Sequence, residues 1–214
     1  MLIPIFKAFV LTAGTAVLLS TTACTVQDKK SGGEDTVRIR TLVGGLDVHT
    51  NDVHPADVGL PVYPGAVLAP TNGKDNDKSA DVDMSFVGWR LRVRVLNYQS
   101  SDAQDKVAAF YQKALGSYGD VLTCQGNKAV GTLVRTRDGL TCSDDHNYNV
   151  NIDVESNKGH DSVKEITAQS NAGDLELRAG SPNNQHIVAF TSPAGAGTRF
   201  ALINVELPHG HETN

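Results

Sequence analysis

Residues 82–95 read Val82-Asp-Met-Ser-Phe86-Val-Gly-Trp89-Arg-Leu-Arg-Val-Arg-Val95. Two runs alternate apolar and polar residues with a period of two, the spacing at which successive strand side chains point to opposite faces. Val87-Gly88 is short enough to reverse the chain between them. A turn there sets Phe86 opposite Trp89, Asp83 opposite Arg92 and Asp81 opposite Arg94. Ion pairs then lie on the wet face, with Met84, Phe86, Leu91 and Val93 on the core side. Each such cross-strand pair adds roughly 0.2–1 kcal/mol. The stretch predicts a hairpin, and with it an antiparallel sheet.

Working outward, Tyr148–Val154 alternates again, and Thr198–Leu207 sets Phe200 and Leu202 on one face against Ala201, Ile203 and Val205 on the other. Further strands are expected at Val37–Val43, Asp120–Cys124, Thr132–Thr136, Leu140–Ser143, Val163–Ala168, Asp174–Arg178 and His186–Thr191. Asp138-Gly139 reads as a hairpin turn between two of them. Ser101–Tyr118 is the clearest helix. Ser101 and Gln104 form a capping-box pattern, and Val107, Phe110, Ala114, Leu115 and Tyr118 make one apolar stripe. Short connections favour antiparallel neighbours. The fold class expected is α+β: a twisted antiparallel β-sheet with one main amphipathic helix packed on one face.

The leader decides the address. Lys7 is followed by an uncharged run ending at Ala23, and then comes Cys24. This is the form of an export signal, and a cysteine straight after a small residue resembles the lipobox of bacterial lipoproteins. Thr21 stands where that pattern has Leu. The resemblance implies acylation of Cys24, cleavage before it and a mature chain held to the cell envelope by lipid. With Thr25 next rather than Asp, it implies the outer membrane, facing the periplasm, if the host has two membranes. Ordinary cleavage leaving a free N-terminal thiol, and an uncleaved anchor, are the alternatives. Residues 1–23 are thus read as signal peptide, 24–35 as a flexible tether, 36–208 as a single domain and 209–214 as a disordered tail. The stretch Gly59-Leu-Pro-Val-Tyr-Pro-Gly-Ala66 excludes helix and central strand, and Pro64-Gly65 favours a tight turn. With the Phe110-Tyr111 helix it resembles a group of uncharacterised bacterial envelope proteins, a resemblance that implies no activity.

Formal charge is −5, from 19 cations and 24 anions. Loss of Lys7 leaves 18 against 24, or −6. Nothing supplies the basic field that nucleic acid requires. Of three cysteines, Cys24 belongs to the leader, and Cys124 and Cys142 are expected to form a disulfide in an oxidising compartment.

Candidate chemistry is sparse. Arg90, Arg92 and Arg94 fall on one strand face, and Arg38 and Arg40 repeat the spacing, so a guanidinium comb for an anionic glycan or lipid headgroup competes with structural ion pairing. Asp47-Val-His49, Asp52-Val-His54, Asp144-Asp145-His146 and His209-Gly-His211-Glu212 each offer imidazole and carboxylate, but none has the spacing of a hydrolytic zinc helix. Asp75-Asn-Asp77 opens like a calcium loop without its later ligands. Gly195-Ala-Gly197 resembles a phosphate loop by composition alone, with no helix after it. No Gly-x-Ser-x-Gly is present. No catalytic residue, metal site or cofactor is assigned. The reading is a non-enzymatic, lipid-anchored binding or scaffolding module whose partners are the membrane and another envelope protein or anionic glycan. The alternative is an envelope hydrolase whose site assembles only in the fold.

Overall fold

The computed structural model describes residues 25–31, 34–69, 78–142, 150–157, 160–168, 174–191 and 197–208. Cys24, the leader, Asp75-Asn-Asp77, the 144–146 cluster, Gly195 and the 209–214 tail lie outside them. The strands are β1 (Thr25–Ser31), β2 (Glu34–Arg40), β3 (Gly44–Thr50), β4 (Val67–Leu68), β5 (Ser79–Phe86), β6 (Trp89–Ser100), β7 (Leu122–Gln125), β8 (Lys128–Ala129), β9 (Val150–Asn157), β10 (His160–Ala168), β11 (Leu175–Ser181), β12 (Asn184–Thr191) and β13 (Thr198–Glu206). The helices are α1 (Pro55–Val58) and α2 (Gln104–Leu115), the latter prolonged by a 3₁₀ turn, Gly116–Tyr118.

The architecture is dominated by one antiparallel sheet in the order β1-β2-β3-β5-β6-β13-β12-β11-β7-β8, with β4 added beside β6. Strands β9 and β10 pair separately. With so few helical residues the molecule is β-rich, more so than an α+β expectation implies. The predicted hairpin is present in the predicted register: Phe86 opposite Trp89, Asp83 opposite Arg92, Asp81 opposite Arg94.

The connection from β6 to β7 explains why α2 lies where it does. The chain passes over three strand positions, and the β11-β12-β13 meander fills them afterwards. Helix α2 therefore crosses the meander and covers it. Val107, Tyr111 and Leu115, spaced i, i+4 and i+8, are its buried residues, and they meet Leu96, Tyr98, Leu177, Val188, Phe190, Phe200 and Leu202 in the main core. Tyr111, absent from the predicted stripe, is its centre: its hydroxyl accepts the Tyr63 backbone N–H at 3.1 Å. Phe110 and Ala114 are only partly buried.

The predicted capping box does not form. The N-cap is Ala103, because Asp102 is fixed outside the helix. Its carboxylate accepts from the Tyr63 hydroxyl at 2.7 Å, its carbonyl from Thr198 Oγ1 at 2.7 Å, and its N–H donates to Ser100 Oγ at 3.1 Å.

Phe200 and Leu202 lie under α2, whereas Ile203 and Val205 join Val93, Ile187 and Ala189 in a second buried cluster on the other face. That split follows the alternation in the sequence. Phe86, expected on the core side, is half exposed because it ends its strand at the hairpin tip.

Three departures have local causes. Thr25–Ser31, read as part of a spacer on its composition, pairs with β2 as an edge strand. Backbone pairing asks little of side chains. Residues 132–136 and 140–142 do not form the expected strands, and Ser143 lies outside the described residues. The turn at Asp138-Gly139 is real, with Gly139 at φ +95° and Thr136 N–H donating to Leu140 O at 3.0 Å. Beyond it the described residues pair through an isolated bridge, Arg135 to Thr141. The Cys124–Cys142 disulfide, Cα atoms 5.6 Å apart, fastens this loop over β7. With Leu122 it forms a third buried cluster. Strand β3 and helix α1 were not anticipated; the two glycines opening β3 and the four-residue length of α1 give weak patterns. At Pro64-Gly65 the turn is as expected, with Gly65 at φ +77° and Ala66 N–H donating to Tyr63 O at 3.0 Å.

Candidate functional site

Beyond the end of α2 the helix-bearing face of the sheet changes character. On β6 the apolar residues Leu96 and Tyr98 give way, on the same face, to Arg94, Arg92 and Arg90. The registers place Arg38, Asp47, Asp83, Arg92 and Glu206 in one row across β2, β3, β5, β6 and β13. A second row holds Thr36, His49, Asp81, Arg94, Asn204 and His186. Five guanidiniums thus share one surface with Asp47, Asp81, Asp83 and Glu206.

The three arginines of β6 share a face, as their spacing dictates; the predicted Asp81–Arg94 pair is kept as a long ion pair, but Arg92 and Arg90 pair diagonally, not straight across. Arg92 Nε reaches Asp81 Oδ1 at 3.0 Å, and Arg90 Nε reaches Asp83 Oδ1 at 3.1 Å. Each guanidinium bonds the carboxylate one rung further along the neighbouring strand. Long side chains on a twisted sheet reach diagonal neighbours readily. Arg94, left 3.9 Å from Asp81, turns instead to β13. Its Nη1 donates to Asn204 Oδ1 at 2.9 Å, Glu206 Oε1 at 2.7 Å and the α1 carbonyl of Asp57 at 3.3 Å.

On the next pair of strands, Asp47 accepts from Arg38 Nε and Arg40 Nη2, both at 2.6 Å. Burial pushes the Asp47 carboxyl up, but the two arginines outweigh it and hold it below the usual carboxylate range. Asp47 faces Asp83 directly, a repulsive juxtaposition that the flanking arginines offset. Exposure grades along β6: the side chain of Arg94 is 14% exposed, Arg92 31% and Arg90 63%. Arg94 is a structural clamp. Arg90, with Arg38 and Arg40, can reach a ligand.

The histidine clusters resolve separately. His49 Nδ1 is 3.4 Å from Thr36 Oγ1, with Asp47 taken by arginines. His54 Nδ1 is 3.7 Å from Asp57, both exposed. Among the described residues no group of three or more His, Cys, Asp or Glu stands close enough to hold a metal ion.

Two features escaped the sequence reading. His186 is buried at the margin of the charged face. Its Nδ1 lies 3.0 Å from Val58 O; a carbonyl only accepts, so Nδ1 carries the proton. Burial holds its pKa below the usual value. On the opposite face Arg178 bonds Glu176 through Nε at 2.9 Å, both buried. Glu176-Leu-Arg178 reads as an ordinary half-wet strand, and only the register that sets Arg178 between Leu122 and Ile187 reveals the burial.

Compared with known proteins, the chain matches no family model, no curated protein and no solved structure.

Proposed function

We propose that this protein is a non-enzymatic binding or scaffolding module of the cell envelope, anchored through acylated Cys24. Its binding surface is the charged sheet face. The observation that carries this reading is the five-strand array of Arg38, Arg40, Arg90, Arg92 and Arg94 with four carboxylates, which leaves one cation in excess on a chain of net charge −5. A broad, ordered face with pre-positioned guanidiniums suits an anionic glycan or an acidic patch on another envelope protein. Retention on an immobilised anionic glycan tests it. Replacing Arg90→Gln and Arg92→Gln together is expected to lower retention. Retention that is equal in the variant removes this face as the binding surface.

A further inference from the structure

The outer end of the charged face carries a second feature. The β2–β3 and β5–β6 turns lie side by side, joined by the Val87 N–H donating to Val43 O at 3.2 Å. Together they expose Leu42 (84%), Val43 (62%), Phe86 (51%), Val87 (84%) and Trp89 (38%). The Phe86 and Trp89 rings contact one another at 5.9 Å. Five large apolar side chains on two adjoining turns form an exposed patch of the sort that marks an interaction site. Its neighbours are Arg40 and Arg90, which face Gly45 and Ser85 on the rung just behind the turns.

The chain's own path says what covers this patch. Thr25 pairs with Arg40, so the residue bonded to Cys24 leaves the sheet at the end that carries the two turns. A lipid on Cys24 therefore holds this end, and no other, against a bilayer. Apolar turns with a Trp–Phe pair suit the headgroup boundary, where aromatic rings are enriched. Arginines just behind them suit anionic headgroups. An acyl anchor gains firm membrane attachment from such a second contact.

We infer that the paired turns at Leu42-Val43 and Phe86–Trp89 dock into the surface of an anionic bilayer, fixing the sheet end-on to the membrane with its charged face turned outward for partners. The orientation rests on the anchoring of Cys24 proposed above.

Trp89 is the single tryptophan of the chain, so its fluorescence reports on the tip alone. The full chain, as purified from membranes, is reconstituted in phosphatidylcholine vesicles with and without phosphatidylglycerol, with brominated acyl chains as quencher. Docking predicts a blue-shifted Trp89 emission, quenched by the brominated lipid and more strongly when phosphatidylglycerol is present. The variant Leu42→Ser/Val43→Ser/Val87→Ser, altered only at exposed turn positions, is expected to lose the quenching while keeping its circular dichroism spectrum. Emission that stays red and unquenched overturns the inference, as does a blue shift that appears with protein concentration in the absence of lipid, which means a second copy covers the tip. The mass of the N-terminal peptide, taken on the same preparation, separates the two claims. Acylated but unquenched protein refutes docking and leaves the anchor standing; quenched protein without acylation does the reverse.

Discussion

Tyr118 lies against His186 with ring centroids 3.6 Å apart and planes 22° from parallel. The Tyr118 hydroxyl donates to Gly59 O, and His186 Nδ1 donates to Val58 O, so the two rings together close the end of α1. Gly59 is at φ +75°, and a Cβ there would meet the Tyr118 oxygen at 2.6 Å. The helix end, the 3₁₀ turn after α2 and β12 thus meet in one polar joint beside the charged face.

This joint makes stability depend on pH in a defined direction. Burial, partly opposed by the Val58 carbonyl and Glu206, keeps His186 neutral in the fold to a lower pH than its ordinary value of 6.5. Between those two values the unfolded chain binds more protons than the native one, so native stability falls as pH falls through that window. Urea unfolding at pH 7.5 and pH 5.5 is expected to show the loss. The His186→Gln variant, whose amide can still donate to Val58 O, is expected to show a smaller one. Asp47 and Asp102, held low by their partners, add their own loss only in more acid solution.

The buried Arg178–Glu176 pair behaves differently from the surface pairs. Removing one partner strands a charge in a dry site. Arg178→Met is expected to cost about 3–5 kcal/mol. Joining Glu176→Leu to it should recover much of that, because a buried ion pair contributes little over well-packed apolar groups. Chemical unfolding of both variants checks the non-additivity. Equal or greater destabilisation in the double variant contradicts the account.

Tyr111→Phe isolates one hydrogen bond in the core. The Tyr63 N–H then lacks its acceptor inside a closed cluster, at a cost of about 1–3 kcal/mol. Equilibrium unfolding of the variant decides it.

Cys124 and Cys142 are both buried and 18 residues apart in sequence. Replacing both by Ala is expected to lower stability by about 3 kcal/mol, through lost constraint on the unfolded chain. Residues 130–141, which hold one isolated bridge and no strand ladder, should lose amide protection from exchange before β11–β13 do.

Side-chain alternation made the β5–β6 hairpin legible to the residue, and it set Phe200 and Ile203 on opposite faces correctly. A period of two carries both register and face wherever a strand is long. It carried nothing about Thr25–Ser31, whose pairing rests on backbone groups, or about α1, which is a single turn. It also misread residues 132–142, where a turn and a disulfide suffice without strands. The charged face was half legible. Spacing placed Arg90, Arg92 and Arg94 together, but the diagonal reach of each guanidinium and the capture of Arg94 by Asn204 and Glu206 depend on twist and on a strand 110 residues further along the chain. Burial of His186 and Arg178 is a property of the sheet order, which no local pattern encodes.

The proposed anchorage holds this sheet to a membrane through the residue preceding Thr25. Mass spectrometry of the N-terminal peptide from native membranes tests it most directly. The expected result is a mature chain beginning at Cys24 with a lipid group on its sulfur. A chain that retains residues 1–23, or begins at Cys24 with a free thiol, contradicts it.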